Sequence, residues 1–358
     1  MMKSSEPEGR MHAMVLKEFR QMRRDRRTVA LMVGMPLMLL VIFGYAARFD
    51  VTDIETAVVG ADAATVADAL PPIYDVADID AGADAADGRR MLRDSEVEAV
   101  VVADGAPPEL LVDGSQLFVA QSALRRVPPG STPEVLFNPE LDTATVMVPS
   151  LIGFIMLFVG TVITSLGVVR EREQGTLEQL AVMPLRPLDV AVGKIAPYFL
   201  VALFDMIIVT AAGLLIFDVP FEGSALLLAA YGLLFLFVVL GFGVAISTLS
   251  KSQGEAIQLA IMTLMPQIML SGMIFPLDSM AAGVRWIGYL LPLTWFIVGM
   301  RGIFLKGSSF SALLPPLAIL ALMAVVVFGF ALYRFRQDLA PKQTGDDAGP
   351  LDPVEVTA

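Results

Sequence analysis

Six stretches of the chain are apolar over roughly the length that crosses a membrane: residues 29–47, 146–169, 190–217, 224–248, 256–275 and 311–333. A helix needs ~20 residues to span a ~30 Å hydrocarbon core, and each stretch is close to that length or longer. Between the first two lies a segment, 48–145, with a different rhythm. Thr56 to Gly60 reads as a short buried strand and Ala63 to Leu70 as a helix. Tyr74 to Ile79 alternates like a strand, Ala85 to Asp94 is helical, and Val97 to Ala103 is the strongest strand signal. Leu110 to Val112 is a further strand, closed by Asp113-Gly114, and Ser115 to Arg126 a last helix. Alternating strands and helices predict a small α/β unit with a mixed sheet, able to bury one modest core.

The predicted fold class follows. The chain is an α-helical polytopic membrane protein of six transmembrane helices, with a small α/β extracytoplasmic domain inserted between helices 1 and 2. Its parts are a cytoplasmic amphipathic N-terminal helix (1–28), a first span (29–47), the α/β domain (48–145), five further helices (146–337) and a disordered polar tail (338–358). Met11, Val15, Phe19 and Met22 recur at helical spacing before the first span, as in a helix lying on a membrane face. A cleavable signal peptide is the rival reading of 1–47. The apolar run is long for one, and no small-residue cleavage site follows it cleanly.

Two places break the apolar pattern. From Ile274 to Phe310 the chain is apolar but cut by Gly, Pro, Arg285 and Arg301. It reads as re-entrant or interfacial half-helices, with Trp286, Tyr289 and Trp295 at headgroup level. The alternative is a seventh plus an eighth span, but each piece is short and both arginines would need burying. The other break, 169–187, is the only dense run of charge in the C-terminal half. A cation at the bilayer centre costs roughly 2.5–3.5 kcal/mol on insertion scales, so Arg170, Glu171, Arg172 and Glu173 must lie in water. Thr176 to Gln179 reads as a capping box after the turn at Gly175, and Leu177, Leu180 and Ala181 form one apolar face with Glu178 and Gln179 outward. Pro184 and Pro187 end it. An ordinary polar loop is the plainer reading, but it leaves a capped amphipathic helix at the membrane face without a reason.

Composition narrows the function classes. Over 358 residues, 56% hydrophobic and 17% charged residues describe a membrane protein. The formal net charge of −12 argues against nucleic acid as a partner, and most of the excess acid lies in 48–145. Residues 1–28 are the opposite: Lys17, Arg20, Arg23, Arg24, Arg26 and Arg27 precede the first span. By the positive-inside rule that end is cytoplasmic, and six spans return the C-terminus to the same side. Lys251 in one short link, and Arg334 and Arg336 after the last run, agree with that orientation. There is no cysteine and a single histidine, His12, so no cysteine or histidine metal site and no Ser/His or Cys/His catalytic pair is available. Gly193-Lys194 lacks a glycine-rich loop before it, so no P-loop binds nucleotide. No cofactor is predicted. The carboxylates of 48–145 read as a solvated acidic surface rather than a catalytic cluster.

Several of these segments resemble one family. The text R-E-R-E-Q-G-T-L-E-Q-L (170–180), then P-L-R-P (184–187) and Gly193, Lys194, Ile195, Pro197 and Tyr198, is similar to ABC-2 type permeases. It is most similar to the branch with a large outside domain after the first span. S-T-L-S-K-S-Q (247–253), S-G-M-I-F-P-L-D-S-M (271–280) and L-P-L-T-W-F-I-V-G-M-R-G-I-F-L-K-G (291–307) add to it, in the expected order. Phe137-Asn138-Pro139-Glu140-Leu141 and Val148-Pro149 resemble the family's approach to the second span, with Phe137 where Tyr is usual and Ser150 where Gly is usual. The resemblance implies the transmembrane subunit of an exporter, working with a separate ABC ATPase and a second permease, either a copy of itself or a sister chain. It implies that Arg170, Glu171, Arg172, Glu173, Gly175, Thr176, Glu178 and Gln179 form a coupling helix that docks on that ATPase. An outside domain suggests a periplasmic partner.

Polar residues within the spans are candidates for a substrate path: Asp205 in the third run, Gln258 and Gln267 in the fifth. Asp205 alternatively pairs across a dimer or sits in a watery cleft beside a partner such as Thr210, and the glutamines alternatively pack between helices. Two other functions compete. An ion-coupled carrier predicts buried ionisable pairs and inverted repeats, of which the sequence offers one acid and no repeat. A membrane anchor presenting the acidic domain leaves the charged stretch unexplained.

Overall fold

The computed structural model describes residues 51–105, 107–174, 187–277 and 279–339. The first span, the amphipathic stretch before it and residues 175–186 lie outside these. So does the tail from 340 onward; residues 338 and 339, read as tail, are helical.

The N-terminal described part is a five-stranded sheet with three short helices. The strands are β1 Ile54–Val59, β2 Tyr74–Asp80, β3 Ala99–Val102, β4 Glu109–Asp113 and β5 Thr132–Leu136. Their order is β2-β1-β3-β4-β5, parallel except for the antiparallel pair β3–β4. The helices are α1 Ala63–Ala67, α2 Ala85–Arg93 and α3 Leu117–Arg125. Both sheet faces are covered, which is why the central strands read as unbroken apolar runs rather than alternating ones. Ala99 and Val101 pack with Val119 and Ala120 of α3, while Val100 and Val102 face Leu92 of α2. Asp84 starts α2 by accepting from the backbone N–H of Ala86 (2.8 Å) and Asp87 (3.0 Å), and the Asp87 carboxylate accepts in return from the Asp84 N–H. The Tyr74 hydroxyl donates to the carbonyls of Ala123 and Arg126 at the end of α3, and burial pushes its pKa up to about 12.

β5 is a strand that the alternation of polar and apolar residues did not reveal. Its sequence, Thr-Pro-Glu-Val-Leu, is polar at the start and carries Pro133. A proline is tolerated there because the strand is the edge of the sheet.

The rest is helical: α4 Thr143–Glu173, α5 Pro187–Ile216, α6 Ala225–Leu249, α7 Gln253–Leu270, α8 Ala282–Tyr289, α9 Pro292–Arg301 and α10 Phe310–Leu339. A π-helical turn, Gly302–Lys306, continues α9. Among the described residues four helices are long and apolar enough to cross a membrane, and up to five if the bent pair α8–α9 counts as one. That pair turns through 72°, the geometry of a broken span or a re-entrant loop, as the glycines and prolines of 274–310 led one to expect. The run 256–275 is not continuous. Helix α7 ends at Leu270, and Gly272 takes a left-handed φ of +83° that turns the chain out toward Pro276. With Gln253, Glu255, Gln258 and Gln267 in its 18 residues, α7 is not among the four.

The bundle is centred on α4 and α6. Small residues let helices approach closely, as membrane helices require. A Cβ at Gly153 of α4 would run into the Phe296 ring, and one at Gly243 of α6 into Thr164 and the Thr161 carbonyl. Phe235 stacks on Phe296 at 4.2 Å between ring centres. The Tyr231 hydroxyl donates to the Leu313 carbonyl of α10 (2.7 Å). Among the described residues one face of α5 is uncovered, with Leu200, Phe204, Ile207 and Ile208 all exposed.

The sheet is joined to the bundle by the Phe137–Leu141 segment. Buried Asn138 donates through Nδ2 to the carbonyls of Gly114 and Asp142, and its Oδ1 accepts from the Asp142 N–H. The Asp142 carboxylate then caps α4 by accepting from Thr145 N–H and Oγ1. A second joint is Lys306 at the end of the π-helical turn. Its Nζ donates to Asp113 of β4 (2.5 Å), Ser95 Oγ (2.7 Å) and the Leu92 carbonyl (3.2 Å). The Phe137 ring lies 5.7 Å from the same ammonium.

Candidate functional site

The charged run at the end of α4 meets a segment far from it in sequence. α6 ends at Leu249 and α7 begins at Gln253, so the turn between them presents unpaired carbonyls of one helix beside unpaired N–H groups of the next. A cation is favoured at the first and an anion at the second. The order Arg172-Glu173 supplies both. Arg172 Nη1 donates to the carbonyls of Ser247 (2.8 Å) and Ser250 (3.0 Å) at the end of α6. Glu173 accepts from the Gln253 backbone N–H (3.1 Å) and from Gln253 Nε2 (2.6 Å) at the start of α7. Ser252 caps α7 by accepting from the Glu255 N–H, and the Glu255 carboxylate accepts from the Lys251 N–H. Two segments distant in the chain, 170–174 and 247–253, thus form one polar brace. Nothing in the local sequence of either gave the pairing, because the partners lie 75 to 80 residues apart.

Arg170 is exposed beside this brace, and Glu171 is half-buried. Gly175, Thr176, Glu178 and Gln179 lie outside the described residues, and with them the predicted capping box.

The three candidate path residues are not brought together by hydrogen bonds. Asp205 is half-buried midway along α5, with Oδ2 buried and unpartnered. Gln258 is half-buried on α7. Gln267, also on α7, is buried, and its Oε1 accepts from the Leu293 N–H in the first turn of α9. That bond fastens α7 to the bent pair. No group of metal-binding side chains occurs among the described residues.

Four helices long and apolar enough to cross a membrane among the described residues, or five with the bent pair, describe a polytopic membrane protein. The family of ABC-2 transporter proteins matches residues 26–333, and the chain belongs to it: it is a transmembrane permease subunit of an ABC transporter. The probable multidrug ABC transporter permease YbhS of Escherichia coli (strain K12) is 29% identical over 92% of this chain and 97% of its own length. The probable multidrug ABC transporter permease YbhR of the same organism is 34% identical over 60% of this chain and 65% of its own. The inner membrane transport permease YhhJ is 32% identical over 57% and 54%. Family membership implies an ABC ATPase as partner.

Proposed function

We propose that the chain is the membrane half of an ATP-driven exporter whose motor docks on the stretch 170–187. The first span at 29–47 and α7 complete six crossings, both termini lie in the cytoplasm, and the sheet unit 48–145 lies outside. The observation that carries this reading is the Arg172–Glu173 brace. It makes the end of α4 and the α6–α7 turn one rigid body, so that a push on the exposed Arg170 side reaches three helices at once. Nucleotide closure in the partner would tilt these helices and open a path between two permease subunits. The uncovered face of α5 suits a second copy or a sister permease, and the sheet unit suits a periplasmic partner.

The native chain has no cysteine, so single-cysteine labelling has no background. Lys251 and Glu96 are both exposed, one beside the brace and one on the sheet unit. With a membrane-impermeant maleimide, Glu96→Cys is expected to label in intact cells and Lys251→Cys only after permeabilisation. The reverse pattern would reject the orientation.

Asp205 and Gln258 are our candidates for contact with the moving substrate. Replacing Asp205 by Ala is expected to lower export while ATPase co-purification is kept; unchanged export in vesicles would remove Asp205 from the path.

A further inference from the structure

At the end of the bundle that carries the sheet there is a cavity of about 500 Å³. It lies between α3, the start of α4, the turn 271–277 and α9 with its π-helical turn. Its walls are mostly apolar, with Met147, Met273, Leu277 and Ile297 contributing, and methionines adapt to ligands of varied shape. Two cations line it, Arg301 and Lys306, and no carboxylate does so among the described lining residues.

The two cations differ. Lys306 is neutralised by Asp113 and enclosed. Arg301 is half-buried, and its single hydrogen bond runs from Nη2 to the Gly272 carbonyl at 3.3 Å. Its Nε is buried without a partner, although a guanidinium carries several donors in a fixed fork. The nearby carboxylate, Asp113, is already held by Lys306 and by the Ser115 N–H. On the same wall the Ser271 hydroxyl is buried and unpartnered. An unpaired cation in an apolar recess is costly, and an anion that brings its own acceptors offsets that cost. The π-helical turn, a feature frequent at functional sites, follows Arg301 directly.

We infer that this cavity binds an amphiphilic anion of about drug size, its acidic head on Arg301 and Ser271 and its apolar body against the methionine-lined wall. The volume falls in the range of small-molecule pockets, roughly 300–1,000 Å³. It suits a single apolar chain or ring system.

The test uses the full chain in phosphatidylcholine nanodiscs, with dodecyl phosphate and dodecanol as probes in titration calorimetry. Dodecyl phosphate is expected to bind roughly tenfold or more tightly than dodecanol, and Arg301→Gln to erase that preference. Ile297→Trp, which fills the apolar end and leaves Arg301 in place, is expected to weaken both probes. A second readout needs no variant: a photoreactive fatty acid is expected to mark peptides containing 271–277 or 292–306. Equal binding of the two probes, a preference that survives Arg301→Gln, or labelling confined to other peptides would overturn the inference. None of these readouts requires ATP or an ATPase, so their failure leaves the export reading standing, and the failure of that reading leaves them intact.

Discussion

Replacing Lys306 by Met is expected to destabilise the protein by about 3–5 kcal/mol, the cost of stranding one partner of a buried ion pair. The pair is fully enclosed: 4% of the Lys306 side chain and none of Asp113 is exposed. The ammonium is also the donor for the Leu92 carbonyl, which ends α2, and for Ser95. Losing it leaves a buried carboxylate at the joint between sheet and bundle, while the Leu92 carbonyl keeps the Ser95 N–H. The double variant Lys306→Met with Asp113→Asn removes the stranded charge and keeps an acceptor for the Ser115 N–H, so most of the loss is expected to return. Thermal unfolding of the purified protein, followed by limited proteolysis within 51–136, measures both. Equal stability of wild type and the single variant would refute this account of the joint, as would a double variant no better than the single.

The second large effect is expected at Arg172. Substitution by Ala removes two charge-assisted bonds to backbone carbonyls, each worth roughly 1.5–3 kcal/mol, less here because the side chain is only half-buried. Even a single such loss corresponds to roughly tenfold in an equilibrium constant. The ATPase is expected still to co-purify, because Arg172 points into the brace, while the motor's movement no longer reaches α6 and α7. Arg172→Lys is expected to restore part of the effect, since both carbonyls accept from the one nitrogen Nη1 and an ammonium keeps the charge and several donors on a single nitrogen. A single cysteine at the far end of α6, Leu226→Cys, provides the reading, because Leu226 is exposed and α6 is one of the helices the brace holds. Its labelling rate is expected to change on ATP addition in the otherwise native protein and to change far less with Arg172→Ala. An ATP response of undiminished size would show that the brace transmits nothing.

The local rules carried most of the fold. Val97 to Ala103 read as the strongest strand, and β3 occupies Ala99–Val102 within it; Ala85 to Asp94 read as helical, and α2 runs Ala85–Arg93. The four long spans were legible because lipid demands that their backbone bond within the helix. What stayed hidden depends on pairings distant in sequence. β5 exists because β4 offers it an edge, and its own residues carry only a weak signal. Lys306 closes an apolar segment that gives no local sign of a partner, and its partner Asp113 is 193 residues away. The roles of Arg172 and Glu173 divide in the same manner. Their charge marked a polar break between two apolar runs, but not that they hold the ends of two other helices. Gln267, read as lining a path or packing between helices, accepts from the Leu293 N–H and so joins α7 to α9, a bond its own segment gave no sign of.

Co-purification from native membranes tests the central claim most directly. A tagged wild-type chain is expected to bring down an ABC ATPase and ATP hydrolysis with it. Gly175→Pro, at the turn into the docking stretch, is expected to lose both, and Lys306→Met, at the opposite end of the bundle, to keep the ATPase in whatever protein folds. A chain that purifies alone and moves its substrate in vesicles on an ion gradient, without ATP, would contradict the account.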